Sequence, residues 1–227
     1  MAKLVWDADT KRLYENGVDR GVLYPKNTKT TGYVKGESWN GLTKVSESPE
    51  GGDTNTKYAN NNTYLNLVSK ENFKGTISAY TYPDSFAECD GSSYITSTDG
   101  TMIGAKVTGQ TRRPFGLAYR TLLGNDIAGT DFGYLIHLVY NATASVSSRD
   151  YESVNDSPEA IEFSWDFQTS PVAVPGFKPS AHIIIDSTKT KPEKLKALED
   201  KLYGNDTTEP TLPSPEEVFT ILGQVAG

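Results

Sequence analysis

The chain has 227 residues, 36% hydrophobic and 22% charged, with a formal net charge of -7. That length makes one large β domain or two small ones, with room for a sizeable core. The acidic balance excludes a general nucleic-acid binder, which needs a basic surface, and the single cysteine, Cys89, excludes a disulfide framework or a thiolate metal site within one chain.

The opening MAKLVWDADTK lacks the apolar stretch of a secretory leader. No apolar run approaches the roughly 18 residues of a membrane span. Folding in the cytoplasm is therefore expected, and the sequons at Asn61, Asn141 and Asn205 read as chance matches. Lys3–Trp6 and Val22–Tyr24 read as short strands, with Arg12–Tyr14 leading into a tight turn at Glu15-Asn16-Gly17. Asp7 and Asp9, a conceivable metal or glycosidase pair, read as turn residues. Tyr33–Val45 reads as a longer strand.

A polar stretch follows, roughly Ser46 to Asn62, with three Gly or Pro, four Asn and no large aliphatic residue. It cannot bury itself, and loops of such length are uncommon in compact domains unless functional or disordered. Between well-patterned strands it predicts a projecting arm, and so a protein that joins copies of itself. Tyr64–Val68 leaves the arm, with Leu65 and Leu67 alternating with Asn66. Thr76–Tyr82 is the next strand, and Pro83 to Glu88 reads as one helical turn.

Thr101–Gln110 and Phe115–Leu123 read as strands separated by the basic turn Arg112-Arg113-Pro114. Asp131–Ala144 is apolar on both faces, predicting a central strand covered on both sides. In Ala160–Gln168, Ile161, Phe163, Trp165 and Phe167 face one way, and Glu162, Ser164, Asp166 and Gln168 the other. Ser180–Ile185 closes the β region. Thr190-Lys191-Pro192-Glu193 predicts a capping box opening a helix with Leu195, Leu198, Leu202 and Tyr203 on one face, stopped by Gly204. Ser214-Pro215-Glu216-Glu217 predicts a second, shorter helix stopped by Gly223. Both stripes are too narrow to stand alone, so residues 187–227 are expected to pack as a helical extension on a single domain spanning 1–227.

Catalytic motifs are missing: there is no GxSxG, no Walker loop and no GxGxxG. His137 and His182 read as structural histidines within strands, with no acidic or thiolate partner at ligand spacing. Cys89 reads as a partly buried small residue. Asp84, Glu88 and Asp90 form an acidic cluster without calcium-loop spacing, so a helix-end or subunit ion pair is the expectation. Arg112 and Arg113 fit an ion pair across an interface better than a phosphate site. Tyr58, Tyr64, Tyr80 and Tyr82 could make a sugar platform, although tyrosines in β proteins more often fill strand faces and interfaces. No enzyme, metal or cofactor is expected.

The pieces GYVKGESWNGLTKVSESPEGGDTNTKYANNNTY, TISAYTYPDSFAECDG, TRRPFGLAYRTLLGND, GYLIHLVYNATAS, IEFSWDFQTSPV and LPSPEEVFTIL, in that order, resemble the major tail tube proteins of long-tailed, non-contractile bacteriophages. The resemblance covers nearly the whole chain. It implies a mainly β fold, a β-sandwich or partly open barrel with a flanking α-helix, a long projecting loop or hairpin and a short C-terminal helix, related to the type VI secretion tube protein. It also implies hexameric rings stacked into a virion tail tube, assembled in the host bacterial cytoplasm. Through its lumen DNA and the tape measure protein would pass, and the tail tip or baseplate and tail terminator proteins would be further partners. The arm, 46–62, would touch the next ring through Glu47, Glu50, Asp53, Lys57 and Tyr58. Arg112, Arg113, Asp84 and Glu88 would lie between neighbours in a ring, and either the strand bearing Glu162 and Asp166 or the strands on either side of the arm would face the lumen, where acidic groups would keep phosphate from adhering. The alternative is a virion β-sandwich module for receptor or carbohydrate binding, with the tyrosines as its platform.

Overall fold

The computed structural model describes residues 3–9, 11–145, 149–153 and 159–223. Lys3–Trp6 is not a strand: this segment and its Asp7 and Asp9 turn run ahead of the first strand. β1 (Leu13–Pro25) is continuous through Glu15-Asn16-Gly17. Two register shifts along β9 (Phe115–Asn125) absorb the residues read from sequence as a hairpin turn. The Asn-Gly signal marks a bulge here because β9 supplies a partner on both sides of it. Tyr33–Val45 resolves into β2 (Glu37–Ser38) and β3 (Leu42–Glu47), broken by Asn40-Gly41, where Gly41 has φ 72°.

The polar stretch is a hairpin rather than a loop. β4 (Thr54–Ala59) pairs with β5 (Asn62–Val68) around Asn60 and Asn61, which have φ 50° and 62°. Two consecutive left-handed residues make the type I′ turn that suits a tight hairpin, and asparagine tolerates that region. β6 (Lys74–Ala79) is followed by a 3-10 turn over Asp84–Phe86 and a four-residue helix, α1 (Ala87–Asp90). A second hairpin joins β7 (Ser92–Thr96) to β8 (Met102–Thr108). β10 (Gly129–Ala144), β11 (Phe163–Thr169) and β12 (His182–Asp186) complete the strands. They are followed by α2 (Pro192–Tyr203) and α3 (Pro215–Leu222).

Among the described residues, eight strands form one antiparallel sheet in the order β2-β1-β9-β10-β11-β6-β3, with β12 also on β10. β10 serves two partners in turn: Leu135–Val139 pairs with β12 and Ala142–Ala144 with β11. The handover falls at Asn141, whose φ of 48° and register shift bend the strand. Beyond that bend the sheet folds over without closing. One wall (β11, β6, β3) lies across the other (β1, β9, β10, β12).

Between the walls sits an aromatic core. Leu23, Phe115, Leu117, Tyr119 and Val139 meet Ile77, Ala79, Trp165 and Phe167, with Trp39 and Phe86 between them. Phe86 packs edge-on against Trp165, with centroids 5.1 Å apart. Phe163, Trp165 and Phe167 turn inward and Ser164, Asp166 and Gln168 outward, as their alternation predicts.

On the far side of β1, β9 and β10, a second core joins Val22, Tyr24, Ala118, Ile136, Leu138 and Tyr140 to Leu195, Leu198, Leu202 and Val218 of the two helices. β10 is therefore buried on both faces from Leu135 to Tyr140. The buried tyrosines tie the layers, Tyr24 donating to the Leu202 carbonyl (2.7 Å) and Tyr140 to that of Pro213 (3.1 Å). A Cβ at Gly116 would lie 2.3 Å from the tip of Leu212, so glycine lets that side chain pack directly on the strand. The Ser214 capping box forms as expected. The one expected at Thr190 does not: Lys191 is the N-cap, and the Thr190 hydroxyl donates to the Asp186 carbonyl (2.9 Å), tying the turn after β12 instead.

Candidate functional site

Two regions carry chemistry or surface that the fold does not consume. The first is the projecting hairpins. Nearly every residue of β4 and β5 is exposed, including Tyr58 (72%), Tyr64 (73%), Leu67 (52%) and Val68 (68%). Leu65 and Leu67 share a face, as do Tyr64 and Val68. An isolated two-stranded hairpin is marginal in water, and this one displays its apolar residues away from its own chain. β7–β8 does likewise with Ile95, Met102, Ile103 and Val107, and Leu4, Val5 and Trp6 are exposed as well. Apolar groups gathered on protruding ribbons mark surfaces for another protein.

The residues expected on the arm are divided by the structure. Lys57 and Tyr58 lie on β4, and Asp53 at its base, where its carbonyl accepts from Ser69 N–H (2.9 Å). Glu50 stands at the neck, bridged to Asn72 and ion-paired with Lys74. Glu47 is not on the arm. It ends β3 and turns into the body, because its carboxylate meets Tyr119, His137 and His182 there.

The candidate ring contacts are largely engaged within the chain. Arg113 donates to Glu88 Oε2 (2.6 Å) and to the Lys26 carbonyl (2.6 Å). Asp84 accepts from the Tyr94 hydroxyl (3.3 Å). Arg112 Nε is buried without a hydrogen-bond partner. Asp90 faces Lys106 (3.7 Å) and Arg149 (3.1 Å), so the three acidic groups near α1 point to three different partners and form no cation site. Cys89 is fully buried, and burial pushes its thiol up to about 12, leaving it unreactive as a nucleophile. Glu162 and Asp166 occupy the polar outer face of the β11–β6–β3 wall, accepting from the hydroxyls of Thr43 and Thr76. Of the four tyrosines, Tyr82 packs edge-on against Trp165 (5.2 Å) in the core, so they do not form one platform.

The second region is the contact of Glu47 with the two histidines. β3, β10 and β12 each supply one residue. His137 Nδ1 lies 3.2 Å from Glu47 Oε1 and 3.2 Å from His182 Nε2, and His182 Nε2 lies 4.0 Å from Glu47 Oε1. Tyr119 stacks on His137 (4.6 Å, 7° between planes) and donates its hydroxyl to Glu47 Oε1 (2.5 Å). Phe73 stacks on His182 at 4.2 Å. The hydrogen bond from His137, reinforced by Tyr119 and by the charge effect of His182, outweighs burial and holds the Glu47 carboxyl at about 2. Burial, with His137 alongside, lowers His182 to about 4 against the pull of Glu47. At neutral pH Glu47 is thus an anion and His182 neutral. Spacing along the sequence could not reveal this group, because its members lie on three separate strands.

No protein-family model matches the chain, and no curated protein matches it significantly. Among solved structures, it is similar to a chain of the PVC sheath–tube complex, in its extended state, of an extracellular contractile injection system. Identity is 13%, with 74% of this chain and 88% of that one covered, and the TM-score is 0.37. It is also similar to a chain of the anti-feeding prophage (AFP) baseplate: 7% identity, 73% and 92% covered, TM-score 0.33. Likenesses this distant carry no functional argument.

Proposed function

We propose that this chain is a structural subunit of a phage tail tube of the long-tailed, non-contractile type. Six copies close into a ring, and rings stack into a hollow tube. The observation that carries this reading is the pair of exposed hairpins. Their apolar residues stay largely exposed among the described residues, and a second copy would cover them. The ring is a head-to-tail contact that closes by rotation, whereas stacking is one that does not close. The edges at β2 and β3 offer unpaired strand groups for joining neighbouring copies. The outer face of β11–β6–β3, bearing Glu162 and Asp166, is the surface assigned to the lumen, where an acidic polar wall lets DNA and the tape measure protein pass without adhering. Tail tip or baseplate and tail terminator proteins would meet the tube ends.

Negative-stain microscopy of the purified chain over rising concentration tests the reading. Tubes or six-fold rings are expected. Monodisperse single particles at every concentration would refute it. Replacing Gly52–Ser69 by a short Gly-Ser turn should leave the subunit folded and abolish stacking.

A further inference from the structure

We propose that Glu47, His137 and His182 form a divalent transition-metal site of the zinc class that clamps β3 to the opposite wall of the sandwich. Two ligands at ~2.1 Å from one tetrahedral ion stand ~3.4 Å apart. Two of the three separations here are 3.2 Å and the third is 4.0 Å, so one ion reaches all three atoms with a small closure on the Glu47–His182 side. No other described group of three His, Cys, Asp or Glu side chains converges in this way.

The surroundings match what a metal site requires beyond its ligands. Metal-bound histidines usually fix their second nitrogen through a hydrogen bond. Thr121 Oγ1 lies 3.1 Å from His137 Nε2, where it can accept that N–H and leave the Nδ1 lone pair for the metal. Without a cation, Nδ1 carries the proton and donates to Glu47 at 3.2 Å; a bound ion replaces that proton, and the ring N–H passes to Nε2 and Thr121. Tyr119 holds the carboxylate, and the stacked rings of Tyr119 and Phe73 fix both imidazoles. His137 is buried, while the Glu47 side chain is 35% exposed, so an ion enters from that side and keeps water in its remaining positions. Two imidazoles and one carboxylate suit Zn²⁺, with Co²⁺, Ni²⁺ and Cu²⁺ as competitors, better than Mg²⁺ or Ca²⁺. Because β3 is an edge strand leading into the arm, the ion would fix the root of the β4–β5 hairpin.

The test uses the full chain without a histidine tag, stripped with chelator and titrated with Zn²⁺ and Co²⁺. One equivalent per chain should bind, with a rise in Tm. Glu47→Gln and His182→Gln should each weaken binding by 10-fold or more and remove the Tm rise, whereas Glu88→Gln changes neither. A wild-type chain that takes up no stoichiometric Zn²⁺ would overturn the proposal, as would tight binding retained in both ligand variants. Co²⁺ gives a second readout that needs no variant. Paramagnetic broadening of amides centred on Tyr119, His137 and Ile183 is expected, and broadening centred elsewhere counts against the site.

Discussion

Replacing Leu65 and Leu67 together by Ser isolates the arm's role in assembly from its role in folding. The two side chains lie on one face of β5 and are 38% and 52% exposed. Full burial of a leucine is worth about 1.5–3 kcal/mol. Covering the exposed portions, about nine-tenths of one leucine in all, therefore contributes about 1.4–2.7 kcal/mol per subunit joined. At ~1.4 kcal/mol per tenfold, the critical concentration for tube growth should rise about 10- to 100-fold. Sedimentation of polymer across a dilution series measures that shift. Urea unfolding of the unpolymerised chain should move by no more than about 1.6–3.3 kcal/mol, because the portions of the two side chains already covered within the subunit amount to about 1.1 leucines. An unchanged critical concentration, with the hairpin shown by NMR to be intact, would refute the assignment of this face to the inter-subunit contact. A loss of monomer stability beyond that range would show instead that the arm packs on its own subunit.

Three further outcomes follow from the packing and the turns. Leu198→Ala removes a fully buried side chain between α2 and the sheet and should cost about 2–5 kcal/mol, read as a fall in Tm. Asn61→Gly should tighten the type I′ turn and lower the critical concentration, while Asn61→Val, forced to a φ near 62°, should raise it. Cys89 should resist a thiol reagent at pH 8 in the native chain and react once unfolded. Its raised value of about 12 means that its contribution to stability is complete below the ordinary thiol range and is lost as pH climbs toward 12, measurable as alkaline unfolding.

Where one strand's own side chains decide its environment, sequence alone was enough. The alternation in Phe163–Thr169, the doubly apolar run of β10, and the helices ending at Gly204 and Gly223 all follow from residue chemistry within a few positions. The polar arm was visible as a segment that cannot bury itself. That it is a hairpin entered only as an alternative implied by the family resemblance, because β4 has no apolar alternation and its Asn-Asn turn looks like any polar loop. Glu15-Asn16-Gly17 misled for the opposite reason: a strong local turn signal yields when a long partner strand pairs on both sides of it. Glu88 meets Arg113 because the β7–β8 hairpin returns the chain to α1, and Glu47 meets the histidines only through the curl of the sheet. That curl brings β3 across to β9, β10 and β12, placing side chains from distant parts of the chain within a few ångströms. Local propensity fixes which residues face in or out, and only the folded sheet decides which of the inward ones meet.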